Sequence, residues 1–303
     1  MFLVGCDAPA RYAGSLRTTL FLLLALPLPA SLPPELKDIR TGAYAQATPA
    51  AGPIRVLDWN IDRGVRLEEI EQSIASQRPA LCLLQEVDWN AARSHRVDVA
   101  DALARRLQLN FAFAAAFEEL GQGSRESPAW QGQATLAAFP IRNSRILRFS
   151  RQTAFWEPRG WIPSKLPLLQ RRVGGRIALI SELDVGGRTL VVYNLHLESR
   201  GLGYTRYAQL EETVADARRY GPGVPVLLAG DLNTKYAASR FSRLLENNGF
   251  RDCLARDTGK THRIAFRLDW IFVRGPAGCD AGAVDRAAHG SDHYALTTLV
   301  NLR

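Results

Sequence analysis

Apolar residues recur along this chain with two periods that alternate over most of its length. Short apolar runs bounded by Gly, Pro, Asp or Asn predict strands at Ile54–Asn60, Leu81–Gln85, Phe111–Phe117, Ala134–Phe139, Val224–Ala229, Leu268–Val273 and Tyr294–Val300. Ile177–Leu183 and Thr189–His196 flank Asp184-Val185-Gly186-Gly187 and predict a hairpin. Helical spacing marks Leu67–Ser76, with Leu67, Ile70 and Ile74 on one face, and Val97–Leu107, with Val97, Ala100, Ala104 and Leu107. Tyr204–Tyr220 is stopped by Gly-Pro-Gly, and Phe241–Asn248 by Gly249. Hairpins mixed with helices predict an α/β fold: mixed sheets face to face, with helices outside.

Composition narrows the class. Hydrophobic residues make up 47% and charged residues 22%, which excludes a disordered chain. Only one long apolar run, Leu20–Leu28, stands out, which excludes a polytopic membrane protein. Following Arg11 and Arg17, that run resembles a bacterial-type secretory signal and predicts export, periplasmic or secreted, or an uncleaved anchor. Ala43-Tyr44-Ala45 fits a small-x-small cleavage pattern, and Leu3-Val4-Gly5-Cys6 resembles a lipid-attachment box with no apolar segment before it. The Ala, Pro, Thr and Gly of 33–52 read as a flexible linker. The expected organisation is therefore 1–45 as signal or anchor plus linker and 46–303 as one catalytic domain, acting as a monomer.

Polar residues gather where the apolar runs end: Asp58-Trp59-Asn60-Ile61-Asp62, Glu86 after Leu81–Gln85, His196 after Thr189–Leu195, Gly230-Asp231-Leu232-Asn233, Asp269 within Arg267–Ile271, and Gly290-Ser291-Asp292-His293. In layered α/β folds strand ends meet at one rim, where ligands bind. Carboxylates, amides and imidazoles without thiolate suit a hard cation such as Mg²⁺ or Mn²⁺ rather than a structural zinc site.

Asp-Trp-Asn-Ile-Asp, Leu-Gln-Glu-Val, Asn-Leu-His-Leu, Gly-Asp-Leu-Asn, Leu-Asp-Trp-Ile and Ser-Asp-His, in that order, resemble the endonuclease/exonuclease/phosphatase (deoxyribonuclease I-like) superfamily across residues 53–303. The resemblance implies a four-layer α/β/β/α sandwich and metal-dependent hydrolysis of a phosphoester. It implies that Glu86, Asn60, Asp62 and Asp292 lie at the metal and that Asp231 and Asn233 position nucleophile and phosphate. His293 is implied as general base, Asp269 as its orienting carboxylate, and His196 as donor to the leaving oxygen. His196 stands where AP endonucleases carry a tyrosine, which argues against that branch. Gln133 and Ala137-Ala138 replace the Asn and Ser-Arg common in the family, which puts inherited substrate contacts in doubt.

Other residues have weaker readings. Arg93, near the metal strand, is a candidate phosphate contact. Asn194 and Arg206 are candidate substrate-side residues, with anchoring and solvated-helix readings beside them. Asp58 and Asp88 read as loop or cap acids. His95, His262 and His289 match no motif, and Cys82 reads as a packing residue. Pairing of Cys253 with Cys279 stays open, because spacing does not show proximity.

Net charge is +8, from 38 Lys+Arg against 30 Asp+Glu. Residues 142–176 hold Arg142, Arg145, Arg148, Arg151, Arg159, Lys165, Arg171, Arg172 and Arg176 against Glu157 alone, interleaved with Phe149, Phe155, Trp156 and Trp161. Such a segment suits single-stranded nucleic acid or an anionic membrane surface, or is a plain connection with core aromatics. A nuclease on DNA or RNA is the leading expectation. A phospholipid, sphingolipid or small-molecule phosphodiesterase is the alternative, and a non-catalytic binding member the remoter one.

Overall fold

In the computed structural model, alternation along each central strand divides its side chains between two cores. Leu81 and Leu83 join Leu190, Val192, Leu227, Ala229, Ile271 and Val273 in a core between two sheets. Their neighbours Cys82 and Leu84 turn the other way, onto Ile70, Ile74, Val99 and Leu103 of two helices. Across the molecule, Val191, Tyr193, Leu195, Val226 and Leu228 pack under Leu210, Val214, Phe241 and Leu245 of two further helices. A strand covered on both faces reads as a continuous apolar run, which is why these segments stand out in the sequence. The result is the α/β/β/α sandwich the motifs imply, with each fully buried Leu or Phe contributing ~1.5–3 kcal/mol.

The structure describes residues 32–46, 52–153, 171–201, 203–235, 238–254 and 258–303. The larger sheet runs Ile39–Gly42, Asn110–Glu119, Trp130–Ala137, Leu81–Trp89, Ile54–Arg63, Ala295–Leu302 and Ala277–Cys279, with Arg172–Gly174 and Ala283–Asp285 as side pairs. The smaller runs Arg251–Asp252, Asp269–Arg274, Val226–Asp231, Arg188–His196, Ile177–Val185 and Ile141–Arg148. Among the described residues each sheet holds one parallel pair, Ile54–Arg63 with Leu81–Trp89 and Arg188–His196 with Val226–Asp231. Helices Leu67–Gln77 and Tyr204–Ala217 are the crossovers that parallel pairing requires. The carboxyl ends of the two pairs meet, since Asn60 Nδ2 donates to Asp231 Oδ2 at 3.2 Å. Gly186 and Gly187, both at positive φ, make the hairpin turn.

Several expectations need correction. Residues 32–46 are not a linker. Leu36 is fully buried in the helix-side core, Ile39–Gly42 pairs antiparallel with Phe111–Ala114, and Tyr44 stacks on Phe111 and donates its hydroxyl to Asp101 at 2.6 Å. Ala43-Tyr44-Ala45 therefore lies inside the fold, where cleavage would remove an edge strand. Asp58 and Asn60 sit within a strand that continues to Arg63. The segment 141–148 is an edge strand whose arginines have partners: Arg142 pairs with Asp184 at the surface, Arg145 with Asp216, and Arg148 reaches the Leu36 carbonyl. Arg172 faces Glu119, Arg176 reaches Ser199 Oγ, and Phe149 is core. Phe155, Trp156, Arg159, Trp161 and Lys165 lie outside the described residues, as do Leu3–Cys6 and Leu20–Leu28. Among the described residues no helix is long and apolar enough to cross a membrane. Cys253 and Cys279 form a disulfide.

Candidate active site

Register builds the site. In the smaller sheet His196, Asp231 and Asp269 lie abreast on three adjacent strands. In the larger sheet Asn60 lies opposite Gln85, one residue before Glu86. The ladder slips on both sides of Leu81–Trp89 at this point, and Glu86 takes a left-handed backbone, φ 51°. Asp62, Arg63, Asn233 and Lys235 are left-handed as well. Such conformations cost about 1–3 kcal/mol each and collect at functional sites. Gly230 permits the close pairing beside Asp231, because a Cβ there would lie 2.0 Å from the Leu195 carbonyl oxygen.

Asp231 is the hub. Its Oδ2 accepts from Asn60 Nδ2 and lies 3.5 Å from His196 Nε2 and 3.9 Å from His293 Nε2. Its Oδ1 accepts from the Asn233 backbone N–H at 2.9 Å. Burial, reinforced by Asp269, pushes Asp231 up to about 6. His293 donates Nδ1–H to Asp269 Oδ2 at 2.9 Å, and Thr261 donates its hydroxyl to the same oxygen at 2.6 Å. Burial opposes a charge on His293, but Asp269, then Asp231 and Asp292, outweigh it and raise the imidazole to about 10. Burial, with Arg176, pushes His196 the opposite way, well below its ordinary value, so it is neutral at pH 7. The two imidazoles therefore differ in charge: His293 holds a proton, and His196 offers only a neutral N–H.

Glu86 Oε1 lies 3.8 Å from His196 Nε2, and Oε2 lies 3.6 Å from Arg63. Burial opposes its charge, yet Arg63, with Arg172 and Arg176 behind it, holds the carboxyl far below the usual range. Asp62 pairs with Arg63, and burial raises it. Asp292 faces His262 Nε2 at 3.5 Å, and His262 and His293 outweigh burial to hold it below its ordinary value. Among the described residues, the His, Asp and Glu groups with ligand atoms within 4.8 Å of one another are His262, Asp292, His293 and Asp231, Asp269, His293; Glu86 belongs to neither. A cavity of about 310 Å³ joins Glu86, His196, Asp231, Asn233 and His293 to Lys235, His262 and the apolar Ile264, Phe266 and Leu268.

The three substrate-side residues named from the sequence do not reach this cavity. Arg93 forms a two-pronged pair with Asp88, at 2.7 and 2.8 Å, and also meets Glu119, so Asp88 is a buried counter-ion rather than a loop acid. Asn194 is fully buried between the sheets, donating to the carbonyls of Leu84 and Ala134 and accepting from Gln85. Arg206 donates to the carbonyls of Glu198, Arg200 and Gly201 and shapes the loop after His196. Asp58 is also corrected: it is fully buried, bonded to Gln85 Nε2 at 2.9 Å, and burial then Asp269 raise it well above its ordinary value. Sequence reasoning also missed Arg63 and Thr261, and His262, which matches no motif, lines the cavity. A Thr eight residues before Asp269 carries no periodic signal, and only the fold brings it back to that carboxylate.

Two facing mixed sheets with helices outside, and a rim where acids, amides and imidazoles converge, define a phosphoesterase-type α/β sandwich. The chain belongs to the endonuclease/exonuclease/phosphatase family, whose family model matches residues 59–293 and whose members are generally phosphoester hydrolases. Similar solved structures include an endonuclease/exonuclease/phosphatase protein from Beutenbergia cavernae, 17% identical, covering 82% of this chain and 72% of that one, TM-score 0.60. The human nocturnin catalytic domain, with a bound sulfate anion, is 19% identical over 90% of this chain and 100% of that one, TM-score 0.60. Truncated Caenorhabditis elegans TDP2 is 19% identical over 82% and 98%, TM-score 0.55. No curated protein matches the chain.

Proposed function

We propose that this protein is a divalent-cation-dependent phosphodiesterase that cleaves DNA or RNA. The observation that carries the reading is a buried carboxylate, Asp231, set between two imidazoles, with His196 Nε2 at 3.5 Å and His293 Nε2 at 3.9 Å from its Oδ2. Glu86, Asn60, Asp292 and Asp62 would hold Mg²⁺ or Mn²⁺. Each offers a side-chain oxygen, and Glu86 lines the cavity with its side chain 20% exposed, a donor chemistry that suits a hard cation. A cation held there would supply positive charge beside a non-bridging oxygen and beside the carboxylates that raise His293. Asp269 fixes Nδ1–H of His293, so Nε2, once a bound cation has weakened its hold on its own proton, would take the proton of the attacking water. Asp231 orients that water. Asn233 keeps one amide hydrogen for a phosphoryl oxygen, the other reaching the Leu197 carbonyl at 3.2 Å. His196 would hydrogen-bond the leaving oxygen, which takes its proton from solvent.

Ile264, 85% exposed, and Phe266, 37% exposed, stand at the cavity mouth and favour a second reading, a phosphodiester bearing an apolar group such as a phospholipid. Export through the N-terminal segment is part of the proposal, and the Cys253–Cys279 disulfide supports an oxidising compartment. The test is a panel of plasmid, single-stranded DNA, RNA, sphingomyelin and an inositol phosphate, each with and without Mg²⁺. Nucleotide release or nicking lost with EDTA is expected. Turnover of lipid alone would replace the nuclease reading with the second one.

A further inference from the structure

The reaction as proposed leaves His262 without a task, yet its ring sits in the site. It meets the His293 ring edge to face, centroids 4.8 Å apart at 90°, and the two backbones form a bridge. Arg263 fixes the segment: its backbone N–H reaches the Asp292 carbonyl at 2.8 Å, and its guanidinium reaches the Ser291 and Ala288 carbonyls, each at 2.7 Å. The orientation of the ring is set as well. The Ile264 backbone N–H donates to His262 Nδ1 at 3.2 Å, so Nδ1 is an acceptor and the neutral ring carries its hydrogen on Nε2. Nε2 lies 3.5 Å from a carboxylate that is itself 55% exposed, and the ring lines the same cavity as Glu86, Asp231 and Asn233. An imidazole present only for packing would not need a fixed tautomer with its N–H at the wall of a catalytic cavity.

We infer that His262 is a binding residue for the phosphoryl group, its Nε2–H donating to a non-bridging oxygen beside the donor from Asn233. The inference rests on the phosphoester reading of the site. Nε2–H is present in the neutral and in the charged ring, so no titration of His262 is involved. Use of His262, Asp292 and His293 as a cation site would instead occupy His293 Nε2, the atom needed for proton exchange.

The test is calorimetric titration of the full chain with inorganic phosphate in Mg²⁺, for the parent, His262→Phe and His262→Gln. Phe keeps a flat ring without a donor, and Gln places an amide N–H near the position of Nε2. Loss of a hydrogen bond to a charged oxygen is expected to weaken phosphate binding ~10-fold or more in the Phe variant, with Gln within ~3-fold of the parent. Should the Phe variant fail to fold, His262→Leu reads the same loss. Parent-like binding by the Phe variant overturns the inference, as does Gln as weak as Phe. A fall in Mg²⁺ affinity without phosphate also overturns it, since that would make His262 a metal ligand. A parent that binds phosphate but turns over no diester retires the hydrolysis reading and leaves His262 standing; a parent that binds no phosphate overturns the assignment itself.

Discussion

The proton on His293 reports how its surroundings are built. Its folded value is about 10, against an ordinary value near 6.5. Between those values the folded metal-free protein holds a proton that the unfolded chain has released. Stability from this group is therefore complete below about pH 6.5 and falls by up to ~1.4 kcal/mol per pH unit as pH rises toward 10. Chemical denaturation of the EDTA-treated protein across this range is expected to show that slope, and His293→Gln and Asp269→Asn to lose most of it. An unchanged slope in both would mean that other groups set the alkaline limit. The motif residues were legible one by one: Glu86, His196, Asp231, Asn233 and His293 line one cavity, with Asn60 bonded to Asp231, Asp269 to His293, and Asp292 facing His262. The charge each one carries was not legible, because it depends on neighbours far away in sequence, such as Arg63 beside Glu86 and Arg176 beside His196.

Strands and their pairing decide which polar residues reach the site. Val56, Asp58 and Asn60 share a strand face by alternation, so the inward position of Asp58 was available from its parity. Gln85 and Asn194 complete a polar link between the sheets: Gln85 Nε2 donates to Asp58 and to Asn194, each at 2.9 Å. Asn194→Ala would leave the Leu84 and Ala134 carbonyls and the Gln85 amide short of partners. A loss of ~2–4 kcal/mol in urea unfolding is expected, with kcat/KM per folded molecule nearly unchanged. A selective rise in KM without loss of stability would restore Asn194 as a substrate contact. Gly230→Ala is expected to do the reverse, lowering activity together with stability. Its Cβ would collide with the Leu195 carbonyl, and its φ is +139°, so the row His196–Asp231–Asp269 must shift. Far-UV-normal protein with full activity would contradict this. The edge strands Ile39–Gly42 and Ile141–Arg148 were not legible. Each is exposed along one side, and neither carries the apolar run of a strand buried on both faces.

Charge and cross-linking act on the molecule as a whole. The net charge of +8 suggested a basic surface, yet Arg142, Arg145, Arg148, Arg172 and Arg176 each meet a partner within the fold. The disulfide closes a loop across a separation of 26 residues and ties Cys253, beside the smaller sheet, to the strand Ala277–Cys279 of the larger. Loop entropy assigns such a link about 3 kcal/mol. Reduction, or Cys253→Ser with Cys279→Ser, is expected to lower the melting temperature by several degrees; no change would remove the disulfide as support for an oxidising compartment. The proposed phosphodiester hydrolysis is tested most directly with bis(p-nitrophenyl) phosphate and the full chain in Mg²⁺, beside Glu86→Gln and His293→Gln. Turnover abolished by EDTA and reduced at least ~100-fold in each variant, with melting in Mg²⁺ near that of the parent, is the expected result. Equal turnover in the variants, or turnover that persists in EDTA, would contradict it.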